Sequence, residues 1–363
     1  MKARRINVLR IAIGLGLALL VFGTAAALFG CGGGTTTTTA APPDTNAPVT
    51  TAAPETTTTA AALPGTGKKI GFTNPLAANE QLMMLQNSIK ARVELLGYEF
   101  VPVDDQLNVD KQIADIDQLV AQKVDGIIVF PLDAKSVGPA VERAKAAGVK
   151  VVGINVNMEQ LDGDIGNFDA QVVQGVVQQA DEAAELIAKE LGGKGDVLAI
   201  GIGVPVPTIM VQVAEFQTKA KSLGLNILAQ VDNPTDDAAG AQVLVEQAMA
   251  RFPNIDAVYA YNDPSALGAY SALSGAGKTA VITGSNGSSD GIQGVKDGKI
   301  IATWDLEPVL QGVTMANVTN ELITGGTGAS KLVPVTMYDK SNIDSRPGWD
   351  AQLEQVKSGQ LTE

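Results

Sequence analysis

From residue 68 onward the chain alternates between two hydrophobic periods. Short β-branched and apolar runs fall at 69–73, 98–103, 126–130, 149–154, 196–200, 226–231, 257–260, 281–284 and 301–303, the length of buried strands bounded by polar punctuation. Between them lie segments whose apolar residues recur every three or four positions. Val172, Val173, Val176, Val177, Ala180, Ala183, Ala184, Ile187 and Leu191 form one such stripe, and Ile113, Ile116 and Val120 another, each the buried face of a helix. Gly97, Gly148 and Gly224 stand between a predicted helix and the next strand, where a left-handed residue closes the helix. Strands separated by helices predict parallel sheets built from βαβ units. So many strands divide better into two doubly wound sheets than one, so the expected fold class is α/β with two parallel-sheet lobes. Ligands of open α/β sheets bind beyond the carboxyl ends of the strands. Two sheets facing one another therefore predict a cleft lined by strand-end loops.

The residues before 68 read differently. Lys2, Arg4, Arg5 and Arg10 form a basic leader, and residues 11–28 carry no charge, the make-up of a secretion signal. Cys31, the only cysteine of 363 residues, directly follows Leu28-Phe29-Gly30. That position resembles the acceptor of a bacterial lipobox, although Phe29 stands where a small residue is usual. The expectation is a signal peptide over 1–30 and a lipid on Cys31 that anchors the chain outside the cytoplasmic membrane. The alternative is an uncleaved anchor, because the apolar run is just long enough to span a bilayer. Residues 31–67 are almost all Gly, Thr, Ala and Pro, with Asp44 and Glu55 as their only charges. Such a segment has nothing to bury and is expected to be a disordered tether, reaching on the order of 100 Å when stretched and about 30 Å as a coil.

Composition removes several function classes. With 18% charged and 45% hydrophobic residues, the body has the make-up of a soluble globular protein. Loss of the four leader cations takes the formal net charge from −13 to −17, leaving no basic face for nucleic acid. Histidine is absent, which removes triads, imidazole metal sites and the commonest proton shuttle. No enzyme activity, cofactor or metal is therefore expected. Gly275-Ala276-Gly277-Lys278-Thr279 ends like a phosphate loop, but Ala272 occupies the position that needs glycine, so it reads as a helix end and turn. Asp104, Asp105 and Asp110 lack the spacing and closing Glu of a calcium loop and suit a helix start.

Residues just past the predicted strands are rich in amides: Asn74 and Asn79, Asn155 and Asn157, Asn262, and Asn286. A side-chain amide offers donors and acceptors without charge, matching a neutral solute whose hydroxyls do the same. Any single Asn at a loop start is equally an ordinary turn former; it is the recurrence in both halves that points to a site. Trp304, Tyr261 and Phe168 are candidate stacking faces, or core.

Asp110-Lys111-Gln112, Val124-Asp125-Gly126-Ile127-Ile128-Val129, Pro131-Leu132-Asp133, Ala147-Gly148-Val149, Tyr261-Asn262-Asp263-Pro264-Ser265-Ala266-Leu267-Gly268 and Asp297-Gly298-Lys299-Ile300 resemble, in order and spacing, the type I solute-binding proteins of ABC transporters, with the ribose and galactose binders nearest. The resemblance covers residues 68–344. It implies two α/β lobes that hinge shut on a sugar and present it to a membrane permease, with crossings near 167–168, 306–307 and 331–333. The lobes would then be 68–167 with 307–332, and 168–306 with 333–363. It also implies site residues: Asn262 matches the family's ligand-contacting Asn, Gln212 stands for an arginine, Asn286 for an aspartate, Asp236 for an aromatic, and Gln81 with Leu82 for stacking aromatics. Asn155-Val156 replaces an Asp-Arg pair and Leu306 a glutamine. The expected ligand-binding set is thus Asn74, Asn79, Gln81, Asn155, Asn157, Gln212, Asp236, Asn262, Asn286 and Trp304. A sugar ring is usually gripped by a charged bidentate clamp and aromatic faces, and most of that grip is missing here. An amine-bearing or other polar solute also suits the set.

The expected partners are a small polyhydroxylated solute and a permease, with the chain a monomer. A sensor component docking on a membrane receptor is the alternative. A transcriptional repressor of similar lobes would need a DNA-binding helix pair before Lys68, where this chain has its leader and tether. A hydrolase using Asp or Glu pairs would turn over a trapped ligand. Trp349, Leu353 and Val356 predict a helix in the tail 346–363, expected on the second lobe.

Overall fold

The computed structural model describes residues 62–363; the expected signal peptide, Cys31 and the expected tether as far as 61 lie outside the described residues. Two six-stranded sheets form the frame. The first runs in the order β11 (Lys331–Val333), β5 (Ala170–Gln174), β4 (Lys150–Ile154), β3 (Gly126–Val129), β1 (Lys69–Asn74) and β2 (Glu99–Asp104), all parallel. The second runs β12 (Thr336–Asp339), β10 (Ala302–Asp305), β9 (Val281–Thr283), β8 (Ala257–Ala260), β6 (Asp196–Ile202) and β7 (Asn226–Asn233), with β12 alone antiparallel. Strands covered on both faces by helices read as unbroken apolar runs: Ile127-Ile128-Val129 and Val197-Leu198-Ala199-Ile200 are fully buried.

Helices α1 (Glu80–Leu95), α2 (Val109–Ala121), α3 (Ala134–Ala146) and α9 (Pro308–Ile323) cover the first sheet, while α4 (Val176–Glu190), α5 (Pro207–Ser222), α6 (Ala238–Arg251), α7 (Asp263–Gly275) and α8 (Ser289–Asp297) cover the second. Gly97, Gly148 and Gly224 have φ of 90°, 88° and 90°, the left-handed helix exits their positions required. Gly312 is demanded by packing: a Cβ there would lie 2.6 Å from Ser88 Cβ where α9 crosses α1. No helix among the described residues is long and apolar enough to cross a membrane.

Up to β12 the chain passes between the lobes three times, at 174–176, 305–308 and 333–336. The second and third crossings fall close to where the resemblance put them. The first does not: Val172 and Val173, placed by their period on a helix, lie in β5 of the first sheet, and the crossing expected near 167–168 comes only after it. AQVVQ is a continuous buried run stopped by Gly175, too short for periodicity to separate strand from helix. The edge strands β11 and β12, three and four residues long and mostly not buried, are too short to show a period at all.

Two other expectations change. Residues 63–67 form a turn, with Gly65 N–H bonded to Leu96 O at 2.9 Å and Gly65 packed on the Tyr98 ring, so this last part of the expected tether is folded against the body. The tail does form a helix, α10 (Trp349–Lys357), but it packs on the first lobe: Trp349, Leu353 and Val356 cluster with Ala91 of α1 and with Val309 and Val313 of α9. Since β12 belongs to the second sheet, the segment after it is a fourth tie between the lobes.

A candidate ligand-binding cleft

The carboxyl ends of both sheets face one cavity of about 100 Å³, room for several waters and so for one small solute. Most of its wall is apolar: Leu76, Leu82, Leu107, Phe130, Leu132, Ile202, Ile209 and Leu306 line it with Asn79, Gln81, Gln174, Thr208, Gln212, Asp236, Tyr261, Asn262 and Asn286. Asp236 is the one charged residue among these. Helix starts set the polar groups. Asn79 caps α1, its Oδ1 accepting from Gln81 N at 3.0 Å and Leu82 N at 3.2 Å. Asn262 caps α7, its Oδ1 accepting from Ser265 N at 2.9 Å. Asn at this place is favoured because its oxygen takes an orphan helix N–H, which leaves the amide nitrogen pointing outward.

Asp236 sits in the turn before α6 with φ of 55°. Its Oδ1 accepts from Asn262 Nδ2 at 2.7 Å and from the Tyr261 hydroxyl. Burial pushes its carboxyl above the usual range, opposed by hydrogen bonds from Tyr261, Asn79 and Asn262. Burial, with the Asp236 charge beside it, likewise raises Tyr261 and keeps the phenol protonated. Asn79 belongs to the first lobe and Asp236 to the second. They face each other across the cleft, and a hydrogen bond spans the mouth, Ser289 Oγ donating to Glu80 Oε1 at 2.7 Å. The lobes are therefore closed on each other.

Gln212 donates to Gln179 Oε1 at 2.9 Å and to Tyr261 O at 3.3 Å. Gln174, at the end of β5, accepts from Asn155 Nδ2 at 2.8 Å and donates to Gln311 Oε1 at 2.8 Å. Gln81 is 8% exposed, and its Nε2 has no partner, a costly condition for a buried donor.

Of the expected site residues, Asn79, Gln81, Gln212, Asp236, Asn262 and Asn286 meet in this cleft and four do not. Asn74 is fully buried, donating to Leu82 O and Gln86 Oε1 and accepting from Leu76 N. Asn155, at φ 52°, is locked to Gln174 in both directions. Asn157 organises its own loop, accepting from Gln160 N and donating to Asp164 O. Trp304 is core, 0% exposed, with Nε1 donating to Glu182 Oε2 at 2.8 Å. Phe168 is buried in the first lobe's core; of the three candidate stacking faces only Tyr261 reaches the cleft. A residue past a strand end thus served a turn as often as a site, because the same amide geometry suits both. Gln174 and Thr208 were missed. Gln174 follows from β5 once that strand is recognised, whereas Thr208 carries no sequence signal.

Residues 70–327 match the periplasmic binding protein domain family. The chain is 30% identical over 264 residues to the ribose import binding protein of Bacillus subtilis, covering 72% of this chain and 84% of that one. It is 31% identical over 243 residues to the xylitol-binding protein of Mycolicibacterium smegmatis, covering 62% and 61%. Among solved structures, it superposes on an ABC transporter solute-binding protein from Bacillus halodurans with bound myo-inositol. The TM-score is 0.71 at 23% identity, covering 79% of this chain and 99% of that one.

Proposed function

The chain belongs to the periplasmic binding protein family, and on that premise we propose that it is the extracytoplasmic solute-binding component of an ABC importer. It takes a small uncharged solute of the sugar or polyol class into the cleft between its lobes and delivers it to a membrane permease. Members of the family are transport components rather than enzymes, and no catalytic step is assigned. The observation that carries this reading is the closed cleft itself: strand ends of both lobes converge on one small cavity holding several amides and a single charge. Relatives bearing the names of ribose and xylitol binders support the solute class.

Closure works by differential contact. Glu80 of the first lobe is bonded to Ser289 of the second, a contact that parting the lobes would break, and a solute bridging both walls adds contacts that an open form would lack. Water is expelled, so each hydrogen bond to a fixed amide strengthens. The shut form is then the one that a permease recognises. Lipid on Cys31 keeps the body near the membrane.

Thermal unfolding against pentoses, hexoses, polyols and cyclitols tests the reading, since a ligand at a hundred times its Kd adds about 2.7 kcal/mol. One of these compounds is expected to raise Tm. A panel in which only amino acids, nucleosides or simple amines do so overturns the assignment. Mass spectrometry of the mature chain tests the anchor: acylated Cys31 at the N-terminus is expected, and an intact Met1 refutes it.

A further inference from the structure

Part of the cleft's polar equipment is committed within the protein. Gln174 is engaged through both ends of its amide, Asn262 through both of its polar atoms, and the Tyr261 hydroxyl and Gln212 Nε2 donate within the protein. What remains among the described residues is the Gln81 amide, with its unpartnered and nine-tenths-buried Nε2, the Asn79 Nδ2, the Gln212 Oε1, the Thr208 hydroxyl, the Asn286 side chain and spare lone pairs on Asp236. Every sugar hydroxyl brings a donor and two lone pairs. Each one buried without partners reduces affinity on the order of tenfold.

We propose, building on the solute class inferred above, that the cleft selects members of that class that are deoxygenated or O-methylated over their fully hydroxylated parents. The methyl or methylene face of such a solute rests on Leu132, Phe130 and Leu306, and its remaining hydroxyls are taken by Gln81 and Asp236. Apolar contact there gains what a hydroxyl loses, because these three side chains offer no donor or acceptor. Asp236 is the only charge lining the cleft and no Lys or Arg joins it, so acidic sugars are repelled.

Calorimetry on the mature chain with matched pairs tests this: L-fucose against L-galactose, L-rhamnose against L-mannose, 2-deoxy-D-ribose against D-ribose, and 3-O-methyl-D-glucose against D-glucose, with D-galacturonate as the anionic member. At least one deoxy or O-methyl compound is expected to bind ten times more tightly than its parent, with galacturonate silent. Parents that bind as well or better overturn this inference and leave the solute class standing. Silence from both series, with a response to amines or amino acids, overturns the solute class and this inference with it. Leu306→Gln supplies the missing amide, and is expected to shift the ratio at least fivefold toward the hydroxylated parent. An unchanged ratio in a folded variant counts against the apolar wall as its origin.

Discussion

Arg346 is the residue whose loss should be felt most. Its guanidinium donates to Asp305 through Nε at 2.9 Å and Nη2 at 2.7 Å, and through Nη2 to Gly287 O at 2.7 Å. It also lies 5.1 Å from the Trp349 ring centre and 5.9 Å from that of Tyr338. The side chains of Arg346 and Asp305 are 9% and 1% exposed. Asp305 ends β10 at the second crossing, and also accepts from Trp349 Nε1 at 2.9 Å and Glu307 N at 2.9 Å. Because Trp349 starts the helix docked on the first lobe, this carboxylate holds the fourth tie to the hinge. Arg346→Met keeps most of the aliphatic stem and removes the charge, leaving a buried anion with neutral donors only. Breaking a buried pair from one side costs about 3–5 kcal/mol, a fall in Tm on the order of 5–15 °C. The loss has a pH signature. Burial already raises the Asp305 carboxyl, and Arg346 opposes that rise. Without Arg346 the folded-state pKa climbs further above the unfolded one, so the native state holds the extra proton and stability falls as pH rises through that window. The variant should lie closer to wild type at pH 5 than at pH 8. Adding Asp305→Asn should return a good part of the loss, a coupling of about 1.5 kcal/mol or more. A loss under 1 kcal/mol, or strictly additive single changes, would show that the pair does not hold the strap.

Other changes separate structure from binding. Asn155→Ala breaks both bonds to Gln174 and should lower stability by about 1–3 kcal/mol while moving solute affinity less than Asn262→Ala does in the same titration; a larger affinity loss at Asn155 would return it to the site. The Glu307 carboxyl, pushed up to about 6 by burial with Asp305 adding to it, binds its proton more tightly folded than unfolded. Its neutral form is therefore favoured, and stability drains away as pH rises from about 4.5 to above 6, by at most about 2 kcal/mol for this partly exposed group. Glu307→Gln should flatten that slope in denaturation curves, and an unaltered slope would place the titration elsewhere. Gly312→Ala forces a methyl onto Ser88 where α1 and α9 cross, and should cost about 1–3 kcal/mol in chemical unfolding; no change would mean the helices part freely.

Much of the cleft could be read from the chain, for a reason visible in Asn262 and Asn79. Both are helix N-caps at strand ends, and parallel α/β connectivity delivers every such position to the same side of its sheet. Asn155, Asn157 and Trp304 looked equivalent in sequence. What divided them was the partner each found: Gln174 on the neighbouring strand for Asn155, a carbonyl of its own loop for Asn157, and Glu182, more than a hundred positions away, for Trp304. The helix α10 was equally legible as an amphipathic segment, and equally silent about which lobe would receive it.

By itself, then, the sequence determined the local periods, the glycine exits, the two-sheet α/β architecture and a set of amides at strand ends. Each of these follows from neighbours a few residues apart, where backbone geometry and hydrophobic spacing act. Only the tertiary structure decided that Val172 and Val173 lie in a strand, that the tail returns to the first lobe, and that a largely apolar wall faces a lone carboxylate. Those outcomes depend on which buried surface meets which, and on where each donor finds its acceptor. Such pairings join residues tens to hundreds of positions apart, and no pattern of hydrophobic and polar positions along the chain encodes them.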